Sequence, residues 1–164
     1  MEPRLNYMQV LPEGMRSINA VDHYSGHCGL EPALLELVKL RASQINGCAY
    51  CVDMHSKDAR TRGETEQRLY SLSVWREAPY YTARERAALA LTEAVTRIAA
   101  GGVPAEVYDN ARQHFTDEDL VKLMLAIAII NTWNRFAITF GDVPGSYQPH
   151  HFACEPAQAA LASE

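Results

Sequence analysis

The stretch INGCAYCVDMH, Ile45 to His55, carries two cysteines three residues apart and a histidine four residues beyond the second. Asn46 and Gly47 tolerate a left-handed stop, so a helix ends there and a new one starts at once with Cys48. At about 100° per residue, Cys51 lies roughly 60° from Cys48 and His55 about 40° from Cys51, so all three project from one helix face. Cys48 falls in the first turn, where unpaired N–H groups and the helix dipole favour a thiolate, the reactive form of the side chain. The group could be half of a zinc site, a redox dithiol, or chance decoration of a helix.

Working outward, EPALLELVKLRASQING predicts a helix of about four turns, with Pro32 suited to its first turn. Before it, Met15, Ile18 and Val21 fall near helical spacing from Pro12 to His23, and Gly26 and Gly29 interrupt the pattern. The helix of the two cysteines runs through Arg62 to a stop at Gly63. ETEQRLYSLSVWREAPYY reads as a shorter helix ending before Pro79. Thr82 and Glu85 form a capping box for RAALALTEAVTRIAA, which Gly101-Gly102 ends. Pro104 to Phe115 is another short helix. Thr116 caps the last long one, apolar nearly all round from Leu120 to Ile130, which belongs at the centre of a bundle or in a subunit interface. No segment alternates with period two, so the fold class is all-α, a bundle of six or seven helices. Residues 1–164 are expected to form one domain, with 142–164, Pro-interrupted and then Ala-rich, as a tail that wraps a neighbour or frays.

Composition narrows the function classes. The net charge is −5 and basic residues are scattered singly, which leaves no footprint for nucleic acid or an anionic membrane. The first thirty residues lack a leader pattern, and the longest apolar run, Leu123 to Ile130, is far short of the roughly 20 residues of a span. A cytoplasmic protein is expected. Four cysteines are too few for a disulfide scaffold, and in a reducing compartment a close pair points to catalysis or metal binding. No Gly-rich turn follows a strand and no flavin, haem or nicotinamide motif is present, so no cofactor is expected.

The arrangement suits one chemistry well. A thiolate cleaves a peroxide O–O bond to give a sulfenic acid, and a second thiol condenses with it to a disulfide. Cys48 and Cys51 supply both sulfurs without a large movement, and His55, one turn past Cys51, is placed to take or relay the thiol proton. Glu36, on the preceding helix, is the candidate to orient that histidine. By periodicity alone Glu36 shares a polar stripe with Lys39 and Ser43, the pattern of a solvated face.

Glu36, eleven intervening residues, Cys48-Ala49-Tyr50-Cys51 and then His55, set within LLELVKLRASQINGCAYCVDMHSKDAR, resemble the carboxymuconolactone decarboxylase family, in particular its alkylhydroperoxidase D-like branch. The specific match covers about Glu31 to Arg62, with weaker similarity around IINTWNRFAI. The resemblance implies an all-helical fold assembling into trimers or hexamers and a thiol-dependent peroxidase with a Glu–His–Cys proton relay. It implies Cys51 as the attacking thiol, Cys48 as the resolving thiol, His55 as the relay and Glu36 as the base behind it. Helix-dipole logic alone would favour Cys48 as the more ionised thiol; the neighbouring His55 favours Cys51. Tyr50 stands where the family pattern has a second histidine, and a tyrosine is a poor proton acceptor at neutral pH.

The expected partners are a hydroperoxide, alkyl hydroperoxide or hydrogen peroxide, and an external reductant: a small thiol, a thioredoxin-like protein or a lipoyl protein. Rival readings are a decarboxylase of a carboxylated lactone using Glu36 and His55, and a noncatalytic redox sensor or metal-binding protein. Zinc would take Cys48, Cys51 and His55 and need a fourth ligand from His150, His151 or Cys154. His23, His27 and Cys28 form a loose cluster beside a Gly-rich loop, read as a surface or interface feature. Asn131, Asn134 and Arg135 read as a helix-end hydrogen-bond and ion-pair set.

Overall fold

The computed structural model describes residues 2–149. Among them there are eight α-helices and no strand. They are α1 (Tyr7–Val10), α2 (Pro12–Gly26), α3 (Pro32–Asn46), α4 (Ala49–Thr61), α5 (Glu66–Ser71), α6 (Ala83–Thr96), α7 (Ala105–Arg112) and α8 (Asp117–Phe140), with single 3₁₀ turns at Leu72–Val74 and Ile98–Ala100. The all-α expectation holds. The sequence pattern missed the four-residue α1, too short to show a period, and ran the Leu72–Val74 turn together with α5.

The local signals act as their chemistry dictates. The Thr82 hydroxyl accepts the Glu85 amide at 3.2 Å and the Glu85 carboxylate accepts the Thr82 amide at 2.7 Å, the reciprocal box that starts α6. The Thr116 hydroxyl caps α8 by accepting the Asp119 amide, and Gly141, in the left-handed region, ends it.

The helix buried on all sides is α3, not α8. Ten consecutive residues, Leu34 to Ser43, are buried, because α3 packs against α4, α6 and α8. The stripe of Glu36, Lys39 and Ser43 is therefore not a solvated face. Its polar groups are internal and partnered: Lys39 faces Asp22 at 3.6 Å, and Ser43 Oγ donates to the Lys39 carbonyl at 2.7 Å. Arg41, on the same helix, pairs with Glu93 of α6 at 2.8 Å. In contrast, α8 keeps an outward face, with Val121 at 63% and Met124 at 42% exposed. At 24 residues α8 is long and apolar enough to cross a membrane by length and composition, but its inner face packs on α2, α3 and α6.

Asn131 and Asn134 lie in the middle of α8 and tie it to the end of α3, which corrects the helix-end reading. Asn46 Nδ2 donates to both side-chain carbonyls, at 2.9 and 2.8 Å, and Asn134 Nδ2 donates to Ser43 Oγ at 3.0 Å. Among the described residues Arg135 makes no ion pair, and it donates to the Asn131 carbonyl at 2.6 Å. Asn134 is wholly buried, so Asn134→Ala opens a void and strips partners from Asn46 and Ser43. That should cost about 2 kcal/mol, seen as a Tm lowered by roughly 4–8 °C for a chain of this size. An unchanged melting curve would show that the network does not hold the α3–α8 contact.

Candidate active site

The α3–α4 corner sets the positions of the sulfurs. Gly47 takes a left-handed conformation, φ 71°, which closes α3 and lets the Cys48 amide donate back to the Ser43 carbonyl at 3.0 Å. Cys48 then stands just before α4 as its cap, a step outside the first turn expected from the pattern. Its Sγ accepts the Cys51 amide at 3.3 Å, the place a serine or aspartate oxygen takes at other helix starts. Cys48 and Cys51 are joined as a disulfide, with Cα atoms 5.4 Å apart, and both are 1% exposed. They sit in an apolar cluster with Ala42, Ile130 and Ala137, against which Tyr50 and Trp133 pack.

One turn further on, His55 Nδ1 donates to Glu36 Oε2 at 2.9 Å, with both side chains buried. The second Glu36 oxygen lies 3.5 Å from Arg62 Nε. Burial pushes the Glu36 carboxyl up, but the His55 hydrogen bond and the nearby His55, Lys39 and Arg62 charges outweigh it. The group is held below its ordinary range. An ionised Glu36 can only accept, so Nδ1 carries a proton, and in the neutral imidazole the lone pair is left on Nε2. Nε2 has no hydrogen-bond partner among the described residues.

Beyond the pair, the segment after α8 straps α4. Gly145 N–H donates to Asp53 at 3.0 Å, Lys57 to the Tyr147 carbonyl at 2.9 Å, and Tyr147 OH to Asp58 at 2.7 Å. The first residues of the expected tail thus clamp their own chain; residues 150–164 lie outside the described residues. Asp58 is raised above its ordinary value. Burial is the main cause, the Glu36 charge adds to it, and the Tyr147 hydrogen bond opposes it. Burial and the contact with Asp58 in turn push the Tyr147 hydroxyl up.

His55 lies between two cavities. One, of about 280 Å³, is bordered by Tyr50, Cys51, Met54, Ile130 and Trp133; Cys48 does not reach it. The other, of about 290 Å³, is bordered by His23, His27, Glu36, Asp58, Arg62 and Tyr147. The His23 and His27 rings stack at 4.3 Å, so part of the loose histidine cluster reaches the polar cavity, while the Cys28 thiol donates to the Ser25 carbonyl at 3.1 Å.

Ligand atoms of Glu36, His55 and Asp58 lie within 4.8 Å of one another, close enough to hold a metal ion. The two carboxylates already accept from His55 and Tyr147, so the cluster is also complete as a hydrogen-bonded network. The zinc set drawn from the cysteines has its sulfurs bonded to each other, and its fourth ligands, His150, His151 or Cys154, lie outside the described residues.

All four residues singled out by the sequence, Glu36, Cys48, Cys51 and His55, come together. Asp58, Tyr147, Lys39 and Trp133 were not among them. Asp58 was findable, because it continues the face of α4 seven residues past Cys51. Lys39 was read only as part of the stripe it shares with Glu36, and Tyr147 and Trp133 come from distant segments whose approach no local spacing encodes.

A sequence profile of the carboxymuconolactone decarboxylase family matches residues 12–94. The uncharacterised protein YdfG of Bacillus subtilis (strain 168) is 44% identical over 142 residues, covering 87% of this chain and 97% of YdfG. A crystal structure of a protein of unknown function from Agrobacterium tumefaciens, proposed to be the antioxidant defence protein AhpD, superposes with TM-score 0.86 at 46% identity, over 89% of this chain and 100% of that one. The debrominase Bmp8 has TM-score 0.76 at 20% identity, over 85% of this chain and 75% of its own, a likeness of fold alone.

The depressed Glu36 carboxyl makes a sign-definite prediction. Its stabilisation is present above the unfolded value of 4.5 and is lost as pH falls through the lower folded value. The excess urea midpoint of wild type over Glu36→Gln should therefore shrink as pH falls from about 6 to about 3. A difference constant across that range would mean that Glu36 is not ionised in its pocket.

Proposed function

The chain belongs to the carboxymuconolactone decarboxylase family, and within it we propose that this protein is a thiol-dependent peroxidase, reducing alkyl hydroperoxides or hydrogen peroxide through a Cys48–Cys51 dithiol/disulfide cycle. The observation that carries the reading is the buried Glu36–His55 hydrogen bond at 2.9 Å, one turn from a cysteine that borders a cavity and already pairs with its neighbour. In this reading His55 Nε2 takes the Cys51 proton while Glu36 stabilises the imidazolium. The Cys51 thiolate attacks the terminal peroxide oxygen: an S–O bond forms, the O–O bond breaks, and the alkoxide takes the proton from His55. The products are an alcohol and a sulfenic acid on Cys51. The Cys48 thiol then gives up its proton as its sulfur attacks the Cys51 sulfur; the S–O bond breaks, the departing hydroxide takes that proton and leaves as water, and the disulfide forms.

The two thiols differ in a way that supports these roles. Cys51 borders the cavity and so meets substrate. Cys48, whose sulfur accepts the Cys51 amide, is the better-stabilised leaving thiolate when an external dithiol attacks Cys51 and reopens the disulfide. That reductant is proposed to be a small thiol, a thioredoxin-like protein or a lipoyl protein. We place the enzyme in the cytoplasm as a homo-oligomer, trimer or hexamer, without nucleic-acid or membrane partners. The exposed Tyr108, Val121 and Met124 support self-association. The decarboxylase reading is less well supported: the cavity beside Cys51 includes Asp22 and Asp142, and its Lys39 already faces Asp22, so a carboxylated substrate meets repulsion.

Reduced protein treated with one equivalent of hydroperoxide should lose two thiols and gain the Cys48–Cys51 linkage, read by thiol titration and peptide mass spectrometry. Cys51→Ser should abolish turnover, and full activity in that variant would overturn the assignment. Cys48→Ser should stop at a sulfenic acid on Cys51 that dimedone traps. Glu36→Gln should slow peroxide reduction by roughly 10²–10⁴-fold, the usual share of general acid–base catalysis.

A further inference from the structure

Two buried side-chain nitrogens have no hydrogen-bond partner among the described residues, His55 Nε2 and Trp133 Nε1, and both residues border the cavity beside Cys51. The first is accounted for by the proposed cycle. In the disulfide neither sulfur carries a proton, and reduction gives Cys51 an S–H that Nε2 can accept. The second is not. An indole N–H is a donor only, and leaving it unmatched in the interior forfeits the hydrogen bond it made to water. Trp75, the other tryptophan, shows the usual outcome: its Nε1 donates to Glu93 at 2.9 Å. Trp133 packs against the disulfide cluster between Ile130 and Ala137, on the α8 face turned toward α4.

Resting on the peroxidase reading, we propose that Trp133 is a substrate-binding residue whose Nε1–H donates to the alkyl-bearing oxygen of the hydroperoxide, the oxygen that becomes alkoxide when the O–O bond breaks. The walls around it suit such a ligand. Met8, Met54, Ile130 and Ala137 offer apolar contact to a short alkyl or aryl tail. Asp22 and Asp142 disfavour an anionic substrate. The volume of about 280 Å³ is just below the roughly 300–1,000 Å³ typical of drug-sized ligands, which selects compact tails over long chains. As Cys51 sulfur bonds to the terminal oxygen, negative charge grows on the leaving oxygen. Trp133 N–H and the protonated His55 Nε2 converge on it; His55 gives up its proton and the indole keeps its own. The indole therefore acts as a fixed dipole aimed at charge developing in the transition state.

Trp133→Phe keeps an aromatic wall and removes the donor. Reduced wild type and variant are mixed with stoichiometric tert-butyl hydroperoxide and, separately, with iodomethane, which alkylates Cys51 with no oxygen to be held. The peroxide rate constant should fall about 10- to 100-fold, less than the roughly 10²–10³-fold for losing an oxyanion-hole donor, because His55 still protonates the alkoxide. The iodomethane rate and its pH profile should stay within about threefold of wild type. A variant with the wild-type peroxide rate overturns the role of Trp133 and leaves the peroxidase reading intact. An equal fall with both reagents, or a shifted alkylation pH profile, also overturns it, since the indole would then support the fold or the thiolate. A wild type that loses no thiols to peroxide overturns the peroxidase reading, and the role of Trp133 with it.

Discussion

Burying α3 on every side forces the rest of the arrangement. A helix that carries Glu36, Lys39 and Arg41 within ten buried residues is tenable only if each charge meets a partner, because an unpaired ion in the interior costs several kcal/mol. The partners come from three different helices: His55 of α4, Asp22 of α2 and Glu93 of α6. Each pair sets the rotation of one neighbour about α3. Glu93 illustrates how fully the requirement is met, since one carboxylate accepts from Arg41, Trp75 and Arg76. The Glu36–His55 pair is thus a member of a scaffold-wide set, and the constraint that docks α4 also fixes the imidazole beside Cys51.

That origin has a chemical consequence. A general base works when its ring is held in one tautomer and one orientation before substrate arrives. His55 meets both conditions, because the carboxylate on Nδ1 is ionised and buried and α4 is clamped from outside by Lys57, Asp58 and the strap at Gly145–Tyr147. Tyr50, in the position where a second histidine stands in the family pattern, cannot share this work. Burial and the nearby Asp142, Asp53 and Asp58 charges push its hydroxyl up, away from any proton-accepting role near neutrality. In the proposed cycle the whole acid–base burden therefore falls on His55.

Helix ends and the spacing of the candidate site were legible in the sequence because both are local. Gly47, the Thr82–Glu85 box, Thr116 and Gly141 act through bonds that span three or four residues, and the faces of α4 follow from 3.6-residue geometry. Burial was not legible for α3, since a helix bearing Glu, Lys and Arg has the composition of a surface helix, and only distant Asp22, His55 and Glu93 turn it into an interior one. The apolar run of α8 left a bundle centre and a subunit interface open, and composition alone does not separate its packed inner face from Val121 and Met124, which face outward. Trp133 and Tyr147 were silent because their roles depend on side chains about 80 to 90 residues away, such as Cys51 and Asp58.

The two cavities flanking His55 divide the proposed reaction into an apolar side for the peroxide and a polar side for the proton. On the polar side Glu36 shares the cavity wall with Arg62, Asp58 and the stacked His23–His27 pair. On the apolar side a sulfenic acid on Cys51 would form in the same cluster as Cys48, three residues away and held at the helix start by the Cys51 amide. Further oxidation needs a second peroxide to enter a cavity with room for one compact molecule, whereas condensation needs only the neighbouring sulfur. An intramolecular partner at this range acts at a very high effective concentration, so in the proposed cycle disulfide formation outruns over-oxidation, and burying the thiols shields the sulfenic acid from a second peroxide.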